Sequence, residues 1–169
     1  MKGLRFPFAV AWRAERGHHV LTSRLGGKQL DLNAPMRVRT EEMFDVYAIP
    51  DESGAASGWL ELEIGAYTAA MEPDWKGLTQ AFSRDGGGFG LALAQAMFRL
   101  PWYAWRIEDV ARALGVTRRS LQMALFRESY SFDAALRRCR RLNQLLREGD
   151  ARRRFAAMAG SAAQEPPFR

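Results

Sequence analysis

The segment Ile107–Arg127 constrains the fold of this 169-residue chain more than any other part. Apolar residues recur at helical spacing on both sides of Gly115, and this spacing predicts two helices that each bury one stripe. Gly115 stands where the chain leaves the first helix in a left-handed conformation, and Thr117 is a favourable N-cap for the second helix. The predicted buried residues are Ile107, Val110, Ala111, Leu114, Val116, Leu121, Ala124 and Leu125. The sequence therefore predicts a helix-turn-helix.

The second helix of this motif, predicted over Thr117–Glu128, directs its polar side chains outward. The first turn of such a helix is the part that enters the major groove of DNA. Arginine there pairs bidentately with guanine and glutamine with adenine, each pair contributing about 1–3 kcal/mol of discrimination. A plain helical hairpin, or a helix-turn-helix that binds protein, is the alternative interpretation. The predicted base-contacting residues are Arg118, Arg119, Ser120, Gln122 and Met123, and Arg127 is the predicted phosphate contact.

The net charge of +6 is concentrated in one segment of the chain. Residues 118 to 154 hold eleven arginines and four acidic residues, whereas residues 1 to 117 hold thirteen basic and fourteen acidic residues. A local excess of arginine is typical of a surface that faces phosphates, although a solvated helix face gives the same pattern. Because the motif is adjacent, we expect Arg137, Arg138 and Arg141 to contact phosphates as well.

About sixty residues, Phe89–Glu148, resemble the DNA-binding domain of AraC-type transcriptional regulators. Phe89–Leu100 is similar to the leading helix of that domain, and Ala113–Thr117 with Leu121 and Leu125–Glu128 is similar to its turn and recognition helix. Similarity to the linker helix that follows is carried by Phe132, Leu136, Arg140, Leu145 and Leu146. The resemblance implies a DNA-binding regulator in which Arg118, Arg119, Gln122 and Met123 fall where the family contacts bases.

The sequence also differs from this family. The family domain has two helix-turn-helices, and here the chain ends where the second is expected to begin. Leu125 stands where the family usually has phenylalanine, and Ser129–Tyr130 lacks the usual glycine. The chain thus resembles one half of an AraC-type reader joined to a different, smaller N-terminal module. Since one motif makes few contacts, we expect a homodimer that reads two half-sites.

The first 75 residues are predicted to form a small antiparallel sheet of four or five strands. Phe6–Trp12, Met43–Ile49 and Trp59–Tyr67 have strand-like patterns. Two further strands, at 20–25 and 28–32, flank Gly26–Gly27, which favours a two-residue hairpin turn. The predicted fold class is therefore α+β, with the sheet followed by a helical helix-turn-helix domain.

The predicted domain organisation has four parts. Residues 1–75 form a β-rich domain for dimerisation or for binding an effector or a protein partner, and 76–88 form a linker. Residues 89–150 form the helix-turn-helix domain, and 151–169 form a basic, then disordered tail. Pro101 is expected to end the helix that begins at Phe89.

Several function classes find no support in the sequence. Cys139 is the only cysteine and is expected to be a packing residue, and His18 and His19 are expected to be turn residues that cannot share a metal. No nucleophile has a recognisable base beside it, no apolar run approaches the roughly 20 residues of a membrane span, and no signal peptide is apparent. We therefore expect a non-enzymatic protein without metal or cofactor, located in the bacterial cytoplasm and associated with the nucleoid through DNA.

The sequence leaves two functions open. The leading hypothesis is a sequence-specific regulator whose partners are double-stranded DNA and a second copy of the chain. The alternative is an adaptor or anti-activator that docks another regulator through its β-domain. A group of aromatic residues, Trp102, Tyr103 and Trp105, is expected to belong to the core rather than to stack on a ligand.

Overall fold

The computed structural model describes residues 1–23, 26–30, 35–64, 71–84, 87–148 and 154–155. The α+β prediction is confirmed, since strands occupy the N-terminal part and helices follow. The strands are β1 Leu4–Arg5, β2 Val10–Arg16, β3 His18–Ser23, β4 Gly26–Leu30, β5 Pro35–Val38, β6 Met43–Ile49, β7 Ser57–Leu62 and β8 Arg154–Phe155. The helices are α1 Trp75–Phe82, α2 Phe89–Arg99, α3 Ile107–Ala113, α4 Arg118–Arg127 and α5 Phe132–Glu148.

The strands form two sheets, so the prediction of a single sheet was wrong. One has the order β1-β6-β3-β4 and the other β5-β2-β7-β8, and all pairs are antiparallel except β7 with β8. The division occurs at Gly17, whose φ of +80° turns the chain sharply from β2 in one sheet to β3 in the other. A Cβ at Gly17 would lie 2.5 Å from the Ile49 carbonyl oxygen, so glycine is required there.

The predicted hairpin is confirmed, but its turn is displaced. β3 pairs with β4 in an antiparallel register that places Ser23 opposite Gly26. Gly26 and Gly27 therefore lie in β4 rather than in the turn, and residues 24, 25, 31 and 32 lie outside the described part of the chain. The predicted strand from Trp59 is observed as β7, and its last predicted residues, 65–67, also lie outside the described part.

His18 and His19 lie in β3, so the prediction that they are turn residues was wrong. They face opposite sides of the strand, with His18 exposed and His19 buried. Trp12 Nε1 donates to His19 Nδ1 at 3.1 Å, and His19 Nε2 lies 2.9 Å from the carbonyl oxygen of Arg16. Because Nδ1 accepts, Nε2 carries the proton and donates to that carbonyl. His19 is thus a buried polar group with both ring nitrogens satisfied.

One hydrophobic core runs from the sheets into the helices. The rings of Phe6 and Phe8 contact Phe98 of α2 edge-on, with centroids 6.1 and 5.6 Å apart. Leu93 and Met97, on the same helix, are also fully buried. The predicted ranges 1–75 and 89–150 therefore share a continuous apolar cluster.

The range 76–88, predicted as a linker, contains most of helix α1. Asp74 caps this helix by accepting from the Gly77 N–H at 2.9 Å, which explains why the helix begins there. Trp75 packs edge-on against Tyr103 and Trp105. Trp105 is buried and Tyr103 is half-buried, as expected for core residues, whereas Trp102 is exposed. Helix α1 is therefore part of the packed structure. Of the predicted tail, only β8 lies within the described residues.

Candidate nucleic-acid interface

The turn between α3 and α4 has the geometry that the sequence predicted. Gly115 has a φ of +67°, the N–H of Gly115 donates to the Arg112 carbonyl at 3.1 Å, and the N–H of Val116 donates to the Ala111 carbonyl at 2.9 Å. This pair of bonds is the Schellman motif, which satisfies carbonyls left open at the end of a helix. Apart from the two chain neighbours of Gly115, no described residue has an atom within 4 Å of where its Cβ would be, so the glycine is required by its backbone angle and not by space.

Thr117 caps α4 as predicted. Its hydroxyl accepts from the backbone N–H of Ser120 at 3.1 Å, and its own backbone is extended. The Ser120 hydroxyl lies 2.8 Å from the same oxygen. The buried residues of the motif are also as predicted for Ile107, Val110, Ala111, Leu121 and Leu125, while Leu114, Val116 and Ala124 are half-buried. The turn and the cap together hold α4 at a defined angle to α3.

The outward side of α4, which we call the reading surface, consists of Arg118, Arg119, Gln122, Met123 and Phe126. All five are exposed, as are Ser120 and Arg127, so the predicted outward residues do face solvent. Phe126, which the sequence did not single out as a contact, is 74% exposed and Met123 is 47% exposed. An open cavity of about 600 Å³ lies between this surface and the starts of α3 and α5. The reading surface is therefore concave on one side and carries both cationic and apolar groups.

The two arginines at the start of α4 differ in their partners. Arg118 Nη1 donates to Glu108 Oε1 at 2.7 Å, in a pair whose side chains are 60% and 51% exposed. An exposed ion pair of this kind contributes only about 0–1 kcal/mol, so Arg118 can exchange Glu108 for another acceptor at little cost. Arg119 makes no ion pair with any residue that the structure describes. Its guanidinium is therefore the more available of the two.

Glu128 links the end of α4 to the start of α2, a role that the sequence did not predict. Its carboxylate accepts from the backbone N–H groups of Phe89 and Gly90, at 3.2 and 2.8 Å. Gly88, the N-cap of α2, has no side chain to do this. The acid thus satisfies open donors and lies at the positive end of the α2 dipole. The contact joins residues almost forty positions apart, so local sequence reasoning had no signal for it.

The connection from α4 to α5 is a second left-handed helix end, without glycine. Ser129 has a φ of +61°, and the N–H of Tyr130 donates to the Leu125 carbonyl at 2.8 Å. The ring of Tyr130 lies against Gly90, where a Cβ would overlap it. Burial raises the pKa of the Tyr130 hydroxyl to about 12, and the charge of Glu41 adds to this shift. The motif is thus packed against α2 through Glu128 and Tyr130.

Arg138, a predicted phosphate contact, is paired with Glu41 in the structure, and its role at a phosphate stays a prediction. Its Nη1 and Nη2 donate to the two carboxylate oxygens of Glu41, both at 2.7 Å, and Arg5 Nε lies 2.7 Å from Glu41 Oε2. The Arg138 and Glu41 side chains are only 21% and 16% exposed. This group joins α5 to the segment beside β1. Arg137 and Arg141 are exposed and face a separate cavity between α5 and β1.

Cys139 is a packing residue, as the sequence predicted. It is fully buried on α5, and its thiol donates to the Ala94 carbonyl of α2 at 3.3 Å. Burial raises the pKa of this thiol to about 12, which keeps it protonated and therefore a poor nucleophile.

The described residues show neither a metal-binding cluster nor a membrane-spanning helix. They contain no group of three histidine, cysteine or acidic side chains that could hold a metal ion. Within the same ranges, no helix is both long enough and apolar enough to cross a membrane. Comparison of the chain with protein-family models, curated proteins and solved structures found no match.

Proposed function

We propose that the protein is a non-enzymatic, sequence-specific regulator that inserts α4 into the major groove of duplex DNA. The observation that carries this proposal is the combination of a capped second helix, a Schellman turn and an exposed guanidinium at Arg119. The turn and cap fix the orientation of α4, and the guanidinium stands in the first turn, where such helices meet base edges. We place this activity in the cytoplasm.

The side chains of the reading surface suit different base edges. Arg119, and Arg118 once it releases Glu108, can each donate two hydrogen bonds to guanine. Gln122 can pair with adenine, and the apolar groups of Met123 and Phe126 can contact thymine methyl groups. The Ser120 hydroxyl is already close to Thr117 and has less freedom to reach a base. This assignment makes Arg119 and Gln122 the main determinants of sequence preference.

Only some of the arginines in the basic segment, residues 118 to 154, are proposed to contact phosphates. Arg127 is exposed at the end of α4 and is the proposed phosphate contact beside the reading surface. Arg138 is not among them, because it forms a bidentate pair with Glu41. Glu108 opposes DNA through its negative charge and also holds Arg118. The balance of charges at the interface therefore depends on whether the Arg118–Glu108 pair opens.

A homodimer is part of the proposal. Met43, Tyr47 and Ile49 project from one face of β6 and are 47%, 42% and 54% exposed. Asp45 lies on the same face between Met43 and Tyr47 and accepts from the Tyr47 hydroxyl, so the three side chains form an interrupted apolar patch. Exposed apolar patches are typical of interaction surfaces. Two copies joined there would present two reading surfaces, which gives enough contact area for specific binding. The alternative is that this patch binds a protein partner, or that the N-terminal part binds an effector.

The alternative function, a protein-binding adaptor, is favoured by one observation. Phe126 is 74% exposed at the C-terminal end of the reading surface. A large exposed aromatic residue is a common anchor in protein interfaces. In this interpretation α4 and β6 both bind protein, and DNA affinity is weak and independent of sequence.

The experiment that tests the proposal selects DNA fragments from a random pool with purified protein and then measures affinity for the selected site. Substitution of both Arg118 and Arg119 by alanine is expected to weaken binding to that site by about a hundredfold, because two bidentate base contacts are lost. Glu108→Gln is expected to tighten binding, because it frees Arg118 and removes a negative charge. The stoichiometry of the same titration reports whether two copies bind.

The matched control is Arg37→Ala with Arg39→Ala, which removes the same charge from exposed positions in the N-terminal part. This variant is expected to bind the selected site almost as the parent does. If no sequence is enriched, or if both double variants lose affinity equally, α4 does not read bases and the adaptor function is favoured.

A further inference from the structure

A second cavity, which we call the basic cavity, lies between β1 and α5. Its volume is about 540 Å³, and it shares no lining residue with the cavity at the reading surface. Its lining residues are Met1, Lys2, Gly3, Leu4, Arg5, Arg137, Arg138, Arg141, Leu142 and Leu145. This volume is within the range of pockets that hold small organic molecules.

The charged side chains that line the basic cavity are all positive. Five lining side chains are cationic and none is acidic. Glu41, which lies behind the lining, pairs with Arg5 and Arg138 and neutralises one of these charges. Asp45 accepts from the backbone N–H of Gly3 at 2.7 Å, and the lining side chains remain in cationic excess when Glu41 and Asp45 are both counted. Such a local field attracts an anion and strengthens its binding where water is partly excluded.

Two of the exposed cations of the basic cavity have no ion-pair partner among the described residues. Arg137 and Arg141 are exposed, and neither makes an ion pair within the part of the chain that the structure describes. The Lys2 ammonium lies 5.9 Å from the centre of the Tyr47 ring. Deeper in, Arg138 Nε is buried and has no hydrogen-bond acceptor among the described residues. Its Nη1 and Nη2 are bound to Glu41. The donors offered to an anionic ligand are therefore those of Arg137 and Arg141.

The other lining side chains are apolar. Leu4 and Leu142 are buried, and Leu145 is half-buried beside them. A cavity with charge at its mouth and leucines behind it suits a ligand with an anionic group and an apolar body. A DNA backbone suits it less well, because a phosphodiester has no apolar body to place against the leucines.

We propose that the basic cavity binds a small organic anion, with a phosphate or carboxylate group attached to an apolar body. Arg137 and Arg141 donate charge-assisted hydrogen bonds to the anionic group, and Leu4, Leu142 and Leu145 contact the body. Arg138 stays with Glu41 and positions the wall of the cavity. The site joins a strand of the N-terminal part to α5, and it does not depend on the proposed function.

The test uses isothermal titration calorimetry with phenyl phosphate as the probe. Inorganic phosphate supplies the charge without the body, benzyl alcohol supplies the body without the charge, and benzoate supplies a carboxylate in place of the phosphate. Phenyl phosphate is expected to bind at one site and about tenfold or more tightly than inorganic phosphate, since only it buries an apolar ring. Benzyl alcohol is expected to show no saturable binding. Tighter binding of benzoate than of phenyl phosphate would identify the natural ligand as a carboxylate.

The variant for this test is Arg137→Gln with Arg141→Gln, which leaves the Glu41 ion pairs intact. It is expected to weaken phenyl phosphate binding by about tenfold or more, the effect of losing charge-assisted hydrogen bonds. The matched control, Arg37→Gln with Arg39→Gln, removes equal charge from exposed positions outside both cavities and is expected to keep the affinity of the parent for phenyl phosphate. Circular dichroism checks that both variants are folded.

Two results would overturn the proposal. The first is that phenyl phosphate binds no more tightly than inorganic phosphate, or that both double variants weaken phenyl phosphate binding to the same extent. The second is absence of saturable binding together with a smaller salt dependence of DNA affinity in Arg137→Gln with Arg141→Gln. That result would assign the cavity to the DNA backbone instead.

Discussion

Helices α4 and α5 both carry several arginines, but these arginines differ in exposure and in their ion-pair partners. On α4, Arg118 and Arg119 are exposed, and the only ion pair of this helix with a described residue is the exposed one between Arg118 and Glu108. On α5, Arg138 is mostly buried and holds Glu41 with two hydrogen bonds, while its neighbour Cys139 faces α2. The comparison shows that the charge of a segment does not reveal which arginines are available to a ligand. Whether an arginine is available depends on whether its side chain is exposed or is buried beside an acidic partner.

The sharpest test of this difference is the loss of Arg138. Arg138→Ala leaves Glu41 mostly buried with only Arg5 beside it, and it is expected to lower the free energy of unfolding by about 3 kcal/mol. Arg119→Ala on α4 is expected to change it by less than about 0.5 kcal/mol. Urea unfolding of the two variants measures both values. Equal midpoints would mean that the Glu41 pair does not hold α5 to the N-terminal part.

The buried side of α5 is expected to make stability fall at alkaline pH. The raised pKa of Cys139, about 12 against an ordinary 9.0, means that the folded thiol keeps its proton where the unfolded one loses it. Tyr130 adds the same effect between pH 10 and about 12. Because the unfolded state then binds fewer protons, stability declines as pH rises from about 9 to 12, by roughly 1.4 kcal/mol per pH unit for each group in its window.

This decline can be assigned to its groups with three variants. Cys139→Ala and Tyr130→Phe are each expected to reduce the slope of unfolding free energy against pH. Phe126→Leu changes an exposed side chain that has no titratable group and is expected to leave the slope unchanged. A slope that none of the three alters would place the alkaline transition elsewhere in the molecule.

The smallest expected effects concern the two left-handed helix ends that flank α4. Gly115→Ala places a Cβ at a φ of +67° and is expected to lower stability by about 1 kcal/mol. Ser129→Gly relieves a residue at a φ of +61° and is expected to raise stability by about 0.5 kcal/mol. Thermal unfolding of the two variants measures both changes in stability. A stabilised Gly115→Ala, or a destabilised Ser129→Gly, would contradict this account of the turn.

The helix-turn-helix could be predicted in detail because its determinants are local. Gly115, Thr117 and the apolar stripe act within a few residues of one another, so their order in the chain specifies the turn, the cap and the exposed face. The β-strands were predicted less well. Alternation shows that a segment is half-buried, but it does not show which strands pair, and the sharp corner at Gly17 divides them between two sheets.

The sequence by itself determined that α3 and α4 form a helix-turn-helix and that Arg118, Arg119 and Gln122 face solvent, because helix spacing, turn and cap are properties of neighbouring residues. Only the tertiary structure decided that Arg138 forms an ion pair with Glu41 and that Glu128 caps α2. It also decided that Arg137 and Arg141 face a cavity beside β1. The reason is physical: those contacts join residues far apart in the chain, and their geometry arises only when the sheets and helices pack on one core.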